Sequence, residues 1–141
     1  DELYTASRGA GAQLNDRRIR VSQRNSLQGA LLGTGIPFRE NQDLDFYLKT
    51  LKALIPGTAG IRRPGSAALD LAFVAAGRYD GFWEMDLQPW DIAAGLLIVQ
   101  EAGGIASDIA GETSPLKTGN IVAGNIKIHA AMRQKLQAVQ Q

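Results

Sequence analysis

The chain has 141 residues, of which 45% are hydrophobic, so it suits one globular domain and is unlike a disordered protein. Its 15 Lys and Arg residues nearly balance its 14 Asp and Glu residues, so the charge indicates neither a nucleic-acid nor a membrane partner. The lack of cysteine excludes disulfides and a cysteine nucleophile. Because the chain begins at Asp1 without a signal peptide, we expect a cytoplasmic protein and a piece of a longer chain.

The first residues predict a small β structure. Short alternating runs on either side of Asn15 and Asp16 favour strands, and this Asn-Asp pair predicts a hairpin turn. A hairpin cannot form a core alone. We therefore expect residues 1–25 to be a β fragment that belongs to another, N-terminal domain, and residues 26–141 to form an α/β domain.

Strands and helices alternate through the rest of the chain. Helical spacing of apolar residues, Ser or Pro at helix starts and glycine stops predict four helices. These helices span 41–55, 66–76, 89–102 and 126–139. Apolar runs bounded by turn residues predict strands at 29–36, 82–84, 105–109 and 121–123. This alternation is typical of an α/β layered sheet.

Asp91 is the most informative polar residue. It stands in the first turn of the third predicted helix, behind Pro89, where the helix dipole favours an ionised carboxylate. Such a carboxylate suits a hard cation such as Mg²⁺. The alternative is an acidic residue that only complements the helix terminus.

Two other segments are candidate ligand contacts. Gly65, Ser66 and Ala67 open the second predicted helix, where backbone N–H groups bind a phosphate or a sugar hydroxyl, or where Ser66 is only a helix cap. Glu84 ends a predicted strand seven residues before Asp91. Strand ends and helix starts converge at the crevice of α/β sheets, although a solvated glutamate is the alternative.

Basic residues give weaker indications. Arg62 and Arg63 suit either a position near a phosphate or a surface contact. His129 is the only histidine and lies on the last predicted helix, where we expect an ordinary surface residue. Histidine-based general-base catalysis is therefore not predicted.

Residues 89–104 resemble the second signature of the inositol monophosphatase family. They contain Pro-Trp-Asp-Ile-Ala-Ala-Gly followed by Glu-Ala-Gly-Gly, and residues 63–68 and 77–84 also resemble the bacterial inositol-1-monophosphatase branch. Weaker similarity covers essentially the whole chain. The resemblance implies the C-terminal half of the alternating α/β layered (αβαβα) sugar-phosphatase fold, preceded by a β-hairpin fragment of the N-terminal domain.

The resemblance also implies a function. Members hydrolyse myo-inositol monophosphate with Mg²⁺-activated water, are sensitive to lithium and form homodimers. By position, Asp91 would be a catalytic metal ligand that also contacts the substrate. Glu84 would accept hydrogen bonds from inositol hydroxyls, and the backbone of Gly65, Ser66 and Ala67 would line the sugar pocket.

One family element does not occur in these residues. The first signature, D-P-[IL]-D-G-T-x-[NS], and the Glu-rich element before it are absent from the sequence. Because the family uses them for most of its metal ligands, we expect the chain alone to be inactive. The alternatives are a fructose bisphosphate or nucleotide 3′-phosphate as substrate, and a non-catalytic assembly or binding module.

Overall fold

The first strands form a three-stranded antiparallel sheet in a computed structural model that describes residues 1–39 and 42–140. They are β1 (Tyr4–Ser7), β2 (Gly11–Leu14) and β3 (Arg17–Ile19). Asn15 and Asp16 connect β2 to β3 with φ of 49° and 66°, as in a type I′ turn, so the predicted hairpin turn is confirmed. The sheet has one strand more than a hairpin, because Gly11–Leu14 lacks the β-branched and aromatic residues that identify strands.

The other strands form a mixed five-stranded sheet in the order β5-β4-β6-β8-β7. β4 is paired in parallel with β5 and β6, whereas β8 runs antiparallel to β6 and β7. The strands are β4 (Leu31–Thr34), β5 (Gly60–Arg62), β6 (Gly81–Glu84), β7 (Ile105–Ser107) and β8 (Ile121–Gly124). β5 was not predicted, since its three residues are too few to show an alternating pattern.

Two pairs of helices cover the two faces of this sheet. The helices are α1 (Leu44–Leu54), α2 (Ala67–Ala75), α3 (Pro89–Glu101), α4 (Pro115–Thr118) and α5 (Ile126–Val139). The four predicted helices are confirmed, and only the single turn of α4 is additional. The predicted start of α1 at residue 41 lies outside the described residues. In the described part of the chain, no helix is long and apolar enough to cross a membrane.

Strand β6 divides the core between the two helical layers. Phe82 packs in a cluster with residues of α2 and α3, whereas Trp83 points the other way and packs with residues of α1 and α5. The indole of Trp83 donates to Thr50 Oγ1 at 2.9 Å, and Thr50 donates to the carbonyl of Tyr47 at 2.6 Å. The bond from Trp83 holds α1 against the sheet that carries Glu84, and the bond within α1 orients the Thr50 hydroxyl that accepts it.

The three-stranded sheet packs on α3. Glu101, at the C-terminal end of α3, accepts hydrogen bonds from the backbone N–H groups of Gly11 (2.9 Å) and Gly9 (3.1 Å). These bonds hold the pKa of Glu101 below its ordinary value. Ala12 is completely buried in the same cluster as Val99. The division of the chain at residue 25 stays a prediction.

His129 lies inside the fold, so its predicted surface position is wrong. It is 6% exposed, and its Nε2 lies 2.7 Å from Ser107 Oγ. The Ser107 hydroxyl also lies 2.8 Å from the carbonyl oxygen of Asp108, so the buried imidazole has a polar partner that is itself anchored to the backbone. Burial, together with the charge of Arg133, lowers the pKa of His129 to about 4. Its helical spacing from Met132, which is also buried, is the sequence signal that indicates this position.

Candidate active site

A cavity of about 500 Å³ opens where the ends of β4 and β6 meet the starts of α2 and α3. Convergence of strand ends and helix starts is the usual location of ligand sites in α/β sheets. All the residues predicted as site residues line this cavity, namely Gly65, Ser66, Ala67, Glu84 and Asp91. Residues far apart in the sequence therefore face one space.

Asp91 acts as a helix cap at the edge of the cavity. Its Oδ2 accepts a hydrogen bond from the backbone N–H of Gln88 at 3.0 Å, and its own N–H donates to the Gln88 carbonyl at 2.9 Å. The Asp91 side chain thus caps the backbone N–H at the start of α3, as the third residue of a capping box does. Among the described residues the cap engages only Oδ2, which leaves Oδ1 for a ligand.

The Glu84 side chain lines the cavity and packs against Gly35. A Cβ atom at Gly35 would overlap the carboxyl group of Glu84, so a larger residue at this position would displace that carboxyl group. Burial, followed by the charge of Asp91, raises the pKa of Glu84 to about 7, and Arg63 opposes that rise. Near neutral pH the Glu84 carboxyl therefore exchanges between a hydrogen-bond donor and an acceptor.

The start of α2 forms the opposite wall. Ser66 caps the helix, its Oγ accepting a hydrogen bond from the N–H of Leu69 at 3.3 Å. The guanidinium of Arg63 lies 4.4 Å from the ring centroid of Phe38, and both side chains line the cavity. Because α2 also presents the positive end of its dipole here, an acidic wall faces a basic one.

Asp70 is a buried carboxyl residue on α2 that was not predicted from the sequence. Asp70 is 1% exposed, and neither of its carboxyl oxygens has a hydrogen-bond partner among the described residues. A Cβ at Gly33 would lie 3.1 Å from Asp70 Oδ1. Burial, followed by the charge of Glu84, raises the pKa of Asp70 to about 7. An acidic residue beside Leu71 on an apolar helix was the available signal.

These residues fit one part of a magnesium site. Mg²⁺ prefers octahedral oxygen ligands and is usually held by carboxylates together with water and substrate phosphate. Asp91 offers such an oxygen, and Glu84 lies on the same wall. Within residues 1–39 and 42–140, however, no three acidic, histidine or cysteine side chains converge to hold a metal ion. The described residues therefore do not form a complete site by themselves.

Comparison with known proteins supports the resemblance. A sequence model of the inositol monophosphatase family matches residues 1–141. A Nus factor SuhB from Pseudomonas aeruginosa is 60% identical over 138 residues, which are 96% of this chain and 51% of that protein. An inositol-1-monophosphatase from Rhizobium meliloti is 55% identical over 137 residues, or 97% of this chain and 52% of that protein.

A solved structure of a relative has the same fold. The crystal structure of extragenic suppressor protein suhB from Bartonella henselae matches with a TM-score of 0.93 at 49% identity, covering 97% of this chain and 52% of that chain. This chain thus spans about half the length of the relatives it matches. The match over all 141 residues, together with the shared fold, shows that the chain belongs to the inositol monophosphatase family.

Proposed function

We propose that this chain forms the substrate-binding part of a magnesium-dependent phosphatase site, and that the complete gene product hydrolyses myo-inositol monophosphate to inositol and phosphate. The observation that carries the proposal is the single cavity in which the carboxyl groups of Glu84 and Asp91 face the start of α2. Membership of the inositol monophosphatase family supports the same reaction class.

Asp91 would hold the metal through its uncapped oxygen. Bound Mg²⁺ supplies an activated water and stabilises charge on the leaving oxygen. The capping interaction with Gln88 keeps the Asp91 carboxylate in one orientation, so Oδ1 is presented without a further loss of side-chain freedom. The same carboxylate is positioned to accept a hydrogen bond from an inositol hydroxyl.

Glu84 and the start of α2 would bind the inositol ring. An ionised Glu84 accepts hydrogen bonds from two hydroxyls, whereas its neutral form also donates one. Its raised pKa therefore makes inositol affinity dependent on pH near 7. The backbone of Gly65, Ser66 and Ala67, which line the same cavity, would contact the ring from the opposite side.

The 141-residue chain by itself would be inactive. One carboxylate ligand does not hold Mg²⁺ against water, and without the metal there is no activated nucleophile. The test is phosphate release from inositol monophosphate with millimolar Mg²⁺, run in parallel on the complete gene product and on the isolated chain. Lithium-sensitive turnover by the complete product alone is expected, and turnover by the isolated chain would contradict this account.

A second candidate is a non-catalytic assembly role. The relative at 60% identity is named a Nus factor rather than an enzyme, which favours this alternative. Absence of phosphate release by the complete gene product would favour it further. The same assay with fructose bisphosphate and a nucleotide 3′-phosphate distinguishes the remaining substrate classes, and light scattering tests the homodimer that we infer.

A further inference from the structure

Asp86 has an unusual backbone conformation for a residue beside the cavity. It is exposed and has a φ of 61°, in the left-handed region that favours glycine. Within the described part of the chain, the other non-glycine residues with positive φ are Asn15 and Asp16, which form the β2–β3 turn. A strained residue outside a turn of this kind often marks a functional site.

The neighbouring loop holds Asp86 in this conformation. The N–H of Asp86 donates to Asn120 Oδ1 at 3.2 Å, and the N–H of Leu87 donates to the carbonyl of Gly119 at 2.8 Å. The two loops approach so closely that a Cβ at Gly119 would lie 2.6 Å from the Leu87 carbonyl oxygen. Contacts with residues 119–120 therefore fix the position of Asp86.

Asp86 lies where three cavities meet. Besides the main cavity, it lines two smaller ones of about 110 and 280 Å³, and Gln42 lines all three with it. Arg39 shares the 280 Å³ cavity with Asp86. A substrate bound between Asp91 and the start of α2 would thus extend past Asp86 if it carried a bulky group on that side.

We propose that Asp86 is a specificity-determining residue that selects substrates with an uncharged polyol part and rejects those with a second phosphate. This inference rests on the function proposed above. Hydroxyl groups donate charge-assisted hydrogen bonds to a carboxylate, whereas a second phosphate meets like charge at Asp86. Without the opposing charge of Asp86, Arg39 would attract that phosphate into the 280 Å³ cavity that both residues line.

Two variants of the complete gene product test this role. Asp86→Asn removes the charge and keeps the shape, and Asp86→Gly removes the side chain at a φ that glycine adopts without strain. Asp16→Asn is the matched control, because Asp16 is also exposed, has a φ of 66° and loses the same charge far from the cavity lining. The readout is kcat/KM for inositol monophosphate and for an inositol bisphosphate.

We expect the ratio of monophosphate to bisphosphate kcat/KM to fall roughly tenfold in both Asp86 variants, and to change less than about twofold in Asp16→Asn. An unchanged ratio in an active enzyme would overturn the inference alone. Equal losses on both substrates would also overturn it, because a merely structural role lowers both alike. If the wild-type product released no phosphate from either substrate, the proposed function and this inference would fail together.

Discussion

Replacing Asp70 with asparagine should stabilise the protein in alkaline solution and leave its stability nearly unchanged in acid. Asp70 is buried without a hydrogen-bond partner among the described residues, and its pKa in the folded state is about 7 against an ordinary 3.8. Below pH 3.8 the carboxyl is protonated in both states. Between pH 3.8 and 7 the carboxyl group is ionised mainly in the unfolded state, so the free energy of unfolding falls as pH rises. Above pH 7 the carboxyl group is ionised in both states, and the free energy of unfolding falls no further on its account.

The size of the effect follows from the two pKa values. One pH unit corresponds to about 1.4 kcal/mol, so the full penalty is roughly 4 kcal/mol as an upper bound. The asparagine side chain does not ionise and escapes this penalty, while its amide stays as unpartnered as the neutral carboxyl. We therefore expect Asp70→Asn to raise the free energy of unfolding by roughly 2 to 4 kcal/mol at about pH 8 and by less than about 1 kcal/mol at about pH 4.

Urea unfolding followed by circular dichroism at about pH 4, 6 and 8 measures this difference. Asp45→Asn is the control, because Asp45 is an exposed residue in the first turn of α1 and its replacement should change stability by only about 0.5 kcal/mol at each pH. A loss of stability in Asp70→Asn that is greater in alkaline than in acidic solution would refute the reasoning. It would show that Asp70 is ionised and paired in the folded protein.

Three other predictions concern the cavity and the buried histidine. Asp91→Asn should keep the fold, since the amide oxygen still accepts a hydrogen bond from the Gln88 N–H. It should lower phosphate release by the complete gene product by several orders of magnitude. Near-normal turnover with unchanged Mg²⁺ dependence would contradict the role of Asp91. Gly35→Ala should displace the Glu84 carboxyl group, which should raise KM for inositol monophosphate and lower the free energy of unfolding by about 1 to 3 kcal/mol. Enzyme kinetics and urea unfolding measure these two changes. Unchanged values would exclude the close contact between Gly35 and Glu84. Because the pKa of His129 is lowered to about 4, the contribution of this residue to the free energy of unfolding should fall as pH drops from about 6.5 towards 4. The stability of His129→Asn relative to the wild type should therefore rise over this range in urea unfolding, and a constant difference would contradict the lowered pKa.

The layered fold and the candidate site residues could be predicted from the sequence because local sequence patterns encode them. Helix starts and stops depend on local caps, and the capping bonds of Ser66 and Asp91 occur where the sequence predicts them. The family resemblance then adds Glu84 through the similar segment 77–84, whereas periodicity alone leaves it an isolated strand-end residue. These features need no knowledge of how distant segments pack.

The missed features depend on distant packing. The conformation of Asp86 is fixed by residues 119–120, and the Glu84 carboxyl needs the glycine at position 35, almost fifty residues earlier in the chain. Asp70 contradicts the ordinary rule that buried carboxyl groups are paired, so composition argues against its burial. His129 is different, since its spacing on α5 already favoured the buried face.

The bonds from Glu101 to Gly9 and Gly11 connect the two sheets through one helix. α3 has thirteen residues and is therefore about 20 Å long, with Asp91 in its first turn and Glu101 at its last residue. The three-stranded sheet cannot separate from α3 without freeing both glycine N–H groups to water. Hydrogen exchange at these two amides would therefore report the opening of the sheet at the far end of the helix that orients Asp91.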